Sequence, residues 1–249
     1  MDIRGRVGIV TGSGAGIGRA TALALAKAGA RAVTLADVDA ADLAETARLI
    51  EAEGAEALVL LTDVTRIGDI ERLYAETQGA FGQLDIVVNN AGIVSGPPPF
   101  PETPLERIAQ VIAIDLTAVV QSTALAIRAM GGTGGAVVNV ASTGALNPLP
   151  SDAAYAAAKA GVLHLGTSCA EFGARMGVRV NSVCPGVTET AILEKTGGGT
   201  RPDWLGPILE AIDLLSPSDI ARAILDLIED DSMAGQHVVV SNPARAAGQ

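Results

Sequence analysis

Seven short apolar runs, most of them continuously hydrophobic, recur along the 249-residue chain, and longer stretches with helical spacing separate them. The runs are RVGIVT from Arg6, RAVTLA from Arg31, EALVLL from Glu56, LDIVVN from Leu84, GAVVNVA from Gly135, VRVNSV from Val178 and QHVVVS from Gln236. A strand that is apolar on both faces must be covered on both faces. Parallel strands joined by helical crossovers meet that condition. The intervening stretches carry helix punctuation: RATALALAKAG ends in Gly29, Asp39 opens a helix that closes at Gly54, and Ser216-Pro217-Ser218 opens the last one. The alternation predicts an α/β fold with a doubly wound, seven-stranded parallel sheet and helices on both faces. With no linker, repeat or shift in composition, residues 1–249 read as a single domain. Aromatic residues make up only 2% of the chain, so the core must be built from Ala, Val, Leu and Ile.

The formal net charge of −11 repels polyanions, and no basic run interrupts it. Nucleic acid and anionic membrane are therefore not expected partners. Cys169, Cys184, His164 and His237 show no ligand-like spacing, so no metal site is expected. The N-terminus reads as a strand followed by a turn, and no single apolar run approaches the ~20 residues of a membrane helix. The expectation is a cytoplasmic protein.

Two segments break the rhythm. GIVSGPPPFPETP, from Gly92, follows the fourth strand, and the stretch from about Ala191 to Leu215 follows the sixth. Both follow strand C-termini, where open α/β sheets bind ligands. Gly197, Gly198, Gly199 and Pro202 in the second predict a mobile lid around 191–215. With residues 94–100 and 143–147 it should border a substrate pocket. Leu146, Ile192, Leu193 and Trp204 give that pocket an apolar character, while Lys195 and Arg201 read as solvated lid charges.

VTGSGAGIG, Val10 to Gly18, follows the first strand and opens the first helix. Gly12, Gly16 and Gly18 allow a tight turn and close approach of the backbone to a pyrophosphate, with the helix N-terminus facing the anion. The second strand ends about twenty residues later at Asp37. A carboxylate there accepts hydrogen bonds from ribose hydroxyls and repels a 2′-phosphate. The following Val38 supplies no base, so NAD is the expected cofactor rather than NADP.

Taken together, these motifs resemble the short-chain dehydrogenase/reductase family in its classical form. The glycine spacing is that family's Thr-Gly-x-x-x-Gly-x-Gly, at Thr11 to Gly18. Asp63-Val64, NNAG at Asn89 to Gly92, Ser142, Tyr155 with Lys159, and PGVTET from Pro185 follow in order. The resemblance implies a Rossmann-fold oxidoreductase that moves hydride between a secondary alcohol, or its ketone, and the nicotinamide. It implies cofactor contacts at Gly12, Ser13, Gly16, Ile17, Gly18, Asp37, Asp63, Val64, Asn90, Ala91, Gly92, Tyr155, Lys159, Pro185, Gly186, Thr188 and Thr190. Asn89 would brace the fourth strand. The implied catalytic residues are Ser142, Tyr155 and Lys159, together with Asp115.

The chemistry agrees with that implication. The chain has only two tyrosines and three lysines, and one of each lies four apart within DAAYAAAKAGV. Residues at that spacing share a helix face. A free phenol has a pKa of about 10 and is a poor base, and a neighbouring ammonium stabilises its phenolate. A Ser142 hydroxyl would hold the substrate oxygen.

Two departures stand out. Many members of the family carry Asn where this chain has Asp115, in AIDLTAVV. A carboxylate there is expected to kink its helix, to favour the charged form of Lys159 and to shift the pH optimum. The C-terminus reads VVVSNPARAAGQ where the family often has DGG, which puts a tetramer in doubt beside a homodimer. Two other functions stay open: a 3-oxoacyl-thioester reductase, which acidic charge and Asp37 disfavour, and a catalytically weak NAD-binding sensor or scaffold. A hydrolase built on Ser142 lacks the G-x-S-x-G elbow.

Overall fold

The computed structural model of the chain describes residues 1–200 and 206–245, apart from the side chains of 195, 207 and 208. Arg201, Pro202 and Trp204 of the expected lid lie outside the described residues, as does the side chain of Lys195.

All seven apolar runs form strands: β1 Val7–Thr11, β2 Ala32–Asp37, β3 Glu56–Leu61, β4 Ile86–Asn89, β5 Gly135–Val140, β6 Val178–Pro185 and β7 His237–Val240. They make one sheet in the order β3-β2-β1-β4-β5-β6-β7. Every pairing is parallel. The order reverses between β1 and β4, so the crevice beyond their C-terminal ends is the topological switch point. β1, β4, β5 and β6 are buried along their whole lengths, including the polar Asn89, Asn139, Arg179, Asn181 and Ser182.

Helices cover both faces. On one side α1 Gly16–Lys27, α2 Ala40–Ala52 and α10 Pro217–Glu229 bring Leu25, Leu43, Ile50, Ile224 and Leu227 against the strands. On the other, α3 Ile67–Phe81 and the helix pair α4 Leu105–Ile112 and α5 Ala118–Met130 contribute Ile70, Leu73, Ala126 and Met130. α6 Ala153–Ser168 and α7 Ala170–Met176 follow on that side, and α8 Ile192–Thr196 and α9 Gly206–Ala211 lie after β6.

Capping follows the expected chemistry. Asp39 accepts from the backbone N–H groups of Ala41 and Asp42 at the start of α2. Ser216 and Asp219 form a reciprocal capping box on α10. α1 is the exception. Its N-cap is Ala15, which makes no side-chain bond, and its first turn holds no acidic residue. The donors at that end are left for a ligand.

One expectation is corrected. α4 and α5 are joined by a π-turn, Ala113–Thr117, into a continuous helix from Leu105 to Met130. That helix is long and apolar enough, by length and composition, to cross a membrane. Its length does not show as one apolar run because Glu106, Arg107, Asp115 and Arg128 break it. In the fold, the helix lays Val119, Thr123, Ala126 and Met130 against its neighbours as a core element.

Candidate active site

The glycine turn is built from backbone contacts that exclude side chains. Gly12 has φ +64°, and a Cβ there would lie 2.8 Å from Asn90 Nδ2 and 2.9 Å from Ala91 Cα. A Cβ on Gly18 would collide with the carbonyl of Gly12. Asn90 fixes the turn from the neighbouring strand, donating to the Thr11 and Gly12 carbonyls at 3.0 Å each. Thr11 Oγ1 accepts from the N–H groups of Asn90 and Ala91 in return. The NNAG segment and the glycine turn are thus one unit.

The other expected cofactor residues gather around it. Asp37 Oδ2 accepts from Gly14 N at 2.9 Å, while the helix-capping role belongs to Asp39. Asp63 Oδ1 accepts from Thr65 Oγ1 and Thr65 N, and these bonds hold its carboxyl below the ordinary range. Val64 is half-buried beside it. Thr190 comes from the far side of the switch point, its methyl 3.3 Å from where a Cβ on Gly16 would stand. Thr188 Oγ1 donates to Gly186 O. Ile17 packs on the core, and Pro185 ends β6.

Ser13 is fully buried: its N–H and its hydroxyl both donate to Ala36 O and its carbonyl accepts from Thr46 Oγ1, so it ties the turn to β2 and α2. Asn89 does brace β4: it donates to Asn139 Oδ1 and accepts from Ser122 Oγ at 2.6 Å.

Ser142, Tyr155, Lys159 and Asp115 converge beyond the ends of β4 and β5. Lys159 is 3% exposed, and its Nζ donates to Val140 O at 3.0 Å. The same Nζ lies 5.6 Å from the centre of the Tyr155 ring. Gly144 stands between Ser142 and Tyr155, and the Ser142 hydroxyl accepts from Gly144 N. The π-turn widens the helix by one residue and turns Asp115 inward. Asp115 is fully buried, its Oδ2 3.1 Å from Lys159 Nζ and its Oδ1 accepting from Ile93 N at 2.9 Å. The Asp115–Lys159 contact is an ion pair rather than a well-aligned hydrogen bond, for Oδ2 makes none. Gly92 packs directly on the pair, 2.9 Å from Asp115 Oδ2 at the place of a Cβ.

These neighbours pull on each other's protons. Burial disfavours the Lys159 ammonium, but the charges of Asp115 and Tyr155 outweigh it, and its pKa stands above the ordinary value. Burial raises the Asp115 carboxyl, and Lys159 only partly offsets it. Burial also raises the Tyr155 phenol; Lys159 and Ser142 pull it down, while Asp115 and Asp152 push it up, and the net direction is upward. Tyr155 still keeps part of its surface open to solvent, so its burial is less complete than that of Lys159. In the protein alone, then, Lys159 does not by itself make Tyr155 a ready base.

Three parts of the site escaped the sequence reading. Arg19 reaches the glycine turn, where its guanidinium donates to Gly14 O, to Thr46 Oγ1 at 3.0 Å and to Asp42 Oδ1 at 3.1 Å. Asn242 braces the segment after β6, accepting from Val187 N and donating to Val187 O, each at 2.7 Å. Asp152 caps α6 through Tyr155 N, a role that its position three residues before Tyr155 could have signalled.

The order of these parts along the chain is matched by a family description. The short chain dehydrogenase profile fits residues 6–199. The chain belongs to the short-chain dehydrogenase family. Among its curated relatives, cis-4-hydroxycyclohexanecarboxylate dehydrogenase of Sinomonas cyclohexanicum is 38% identical, covering 90% of each chain. The NAD(+) 15-hydroxyprostaglandin dehydrogenase of Bos taurus is 34% identical, over 94% of this chain and 90% of that one. Solved structures of the family superpose closely. A short-chain type dehydrogenase/reductase from Mycobacterium marinum gives a TM-score of 0.87 at 30% identity, covering 96% of this chain and 95% of that one. Levodione reductase gives 0.88 at 29% identity, covering 95% and 96%. The protein is thus a short-chain oxidoreductase on a Rossmann-type sheet.

Proposed function

We propose that the protein oxidises a secondary alcohol, or reduces the corresponding ketone, with NAD. The observation that carries this reading is the buried Lys159 ammonium 5.6 Å from the Tyr155 ring, with Ser142 across Gly144 from the same ring. The cofactor fits the residues present. The glycine turn is a cradle that a Cβ would fill, and the first turn of α1 leaves its donors free. Gly12, Gly16 and Gly18 would admit the pyrophosphate, Asp37 the adenosine ribose, Asp63 and Val64 the adenine. Asn90, Ala91, Gly92, Thr188 and Thr190 would line the remainder. NAD is favoured over NADP because Asp37 is an anion at the ribose position, and the guanidinium of Arg19 is already committed to Asp42 and Thr46.

When bound, the oxidised nicotinamide supplies the hydride acceptor and one positive charge. The residues of the chain manage the proton. Ser142 Oγ donates to the substrate oxygen and holds it beside the phenol. Tyr155 takes the hydroxyl proton as a general base. Lys159 stabilises the phenolate, and Asp115 keeps Lys159 charged at the cost of opposing the phenolate. Residues 191–215 are the proposed lid. Its ends are pinned together by the pairing of Thr188 with Leu215, and Leu193 faces inward. The proposed assembly is a homodimer or homotetramer that uses the α4–α5 face, where Leu105 and Val120 stand exposed.

The names of the relatives place a hydroxyl on a cyclohexane ring in one case and on a prostaglandin in the other. The test is NADH formation over a panel of cyclic and acyclic secondary alcohols, with NAD+ and NADP+ compared at each. Turnover with NAD+ is expected. Binding of NAD+ without turnover of any alcohol would favour a sensor, and a preference for NADP+ would remove the role given to Asp37.

A further inference from the structure

We infer that Asp152 is a positioning residue that fastens the substrate-side wall after β4 to the start of the Tyr155 helix and sets a second buried carboxylate against the Tyr155 backbone. The inference rests on the alcohol-dehydrogenase reading above and assigns a residue to which that reading gives no role.

Asp152 is 7% exposed and accepts three hydrogen bonds. Ser95 N donates to Oδ2 at 2.7 Å, Ser95 Oγ to Oδ1 at 2.6 Å, and Tyr155 N to Oδ1 at 3.2 Å. Ser95 is itself buried, and lies fifty-seven residues away in the chain, in the proline-rich segment after NNAG. Neighbouring bonds strengthen the same junction. Phe100 N donates to Ser151 O at 3.1 Å, and the guanidinium of Arg107 donates to the carbonyls of Val94 and Ser95. The proline-rich segment is therefore fastened at the residue that caps the catalytic helix. Whatever binds against residues 94–100 is thereby held in fixed relation to the Tyr155 hydroxyl.

The charge has a second consequence. The groups that act on the Tyr155 phenol are Lys159 on α6, Ser142 after β5, Asp115 in the π-turn and Asp152 at the helix cap. Two carboxyl groups and one ammonium thus surround this phenol. Each carboxylate opposes phenolate formation, so Asp152 raises the pH at which Tyr155 becomes a base.

Two variants test this, by two measurements. The first is the titration of the phenolate ultraviolet absorbance in the protein without cofactor, on a Tyr74→Phe background so that Tyr155 alone reports. The second is the steady-state pH profile with NAD+ and an alcohol substrate. Asp152→Asn should lower the Tyr155 midpoint by about half a pH unit or more and move the activity profile the same way. Ser95→Ala keeps the charge and the helix cap. It should raise KM several-fold more than it lowers kcat, without lowering the midpoint. An unmoved midpoint in Asp152→Asn, or a wild-type KM in Ser95→Ala, overturns the assignment. Ser95→Ala carries the test if Asp152→Asn does not fold. The phenolate titration needs no turnover, so the absence of activity in the wild type would count against the proposed reaction and not against Asp152.

Discussion

Replacing Asp115 by Asn should move the pH profile of alcohol oxidation toward acid by about one unit. The size follows from two distances. Lys159 Nζ is 5.6 Å from the Tyr155 ring centre. At an effective dielectric of about 20, an ammonium at that distance favours the phenolate by about 3 kcal/mol, or roughly two pH units. Asp115 Oδ2 is 3.1 Å from the same Nζ, so it lies at most about 8.7 Å from the ring, the two distances laid end to end. With the phenolate charge taken at the ring centre, its charge opposes the phenolate by about 1.9 kcal/mol, or roughly 1.4 units. The exposed part of the ring screens some of this, which leaves about one unit. The sign is fixed by the chemistry. Tyr155 acts as a base only when ionised, so kcat/KM rises with pH through its pKa. Removing a negative neighbour lowers that pKa and carries the rising limb downward. Lys159 loses the partner that holds its pKa above the ordinary value, so the falling limb on the alkaline side also moves down. Asparagine still accepts from Ile93 N through its amide oxygen, so the π-turn keeps its anchor. The assay is kcat/KM against pH for both proteins, with NAD+ saturating. A rising limb that stays in place or moves to higher pH refutes the reasoning.

Asp37→Ser removes the anion from the ribose position. NAD+ affinity should fall and NADP+ affinity rise, measured by titration calorimetry with each cofactor, although Arg19 stays bound to Asp42 and gives NADP+ no full substitute for a free base. Tyr74→Phe removes a buried hydroxyl that binds Ser122 O at 2.7 Å and Ser122 Oγ at 2.8 Å. It should destabilise the fold by about 1–3 kcal/mol in urea unfolding while leaving cofactor affinity near wild type.

The sheet was legible because its strands are buried on both faces. Val7–Thr11 is a short, nearly continuous apolar run, Val178–Pro185 begins with the period-two alternation of a strand, and each run became a strand within a residue or two of its expected limits. The glycine turn was legible for a related reason: Gly12 and Gly18 stand where any Cβ would strike another part of the backbone or Asn90. Tyr155 and Lys159 were legible because helical spacing alone puts them on one face. What the sequence concealed depends on contacts between distant segments. Nothing local to Ser95 says that it will meet Asp152, and nothing local to Arg19 says that it will be held by Asp42. The length of the Leu105–Met130 helix was hidden because charged residues, Asp115 among them, break its apolar run. Only the lysine on another helix shows why Asp115 can sit there buried. The net direction at Tyr155 was hidden too, since the Tyr-Lys spacing shows the attraction and not the burial and the two carboxylates that oppose it.

The central claim is that Tyr155 takes the proton in an NAD-linked alcohol oxidation. Tyr155→Phe tests it most directly, with NAD+ binding and the rate of NADH formation measured on the same preparation. The account predicts NAD+ binding close to wild type, with NADH formation slower by on the order of 10²–10⁴-fold at every pH. NADH formation within a few-fold of wild type, with binding intact, would contradict it.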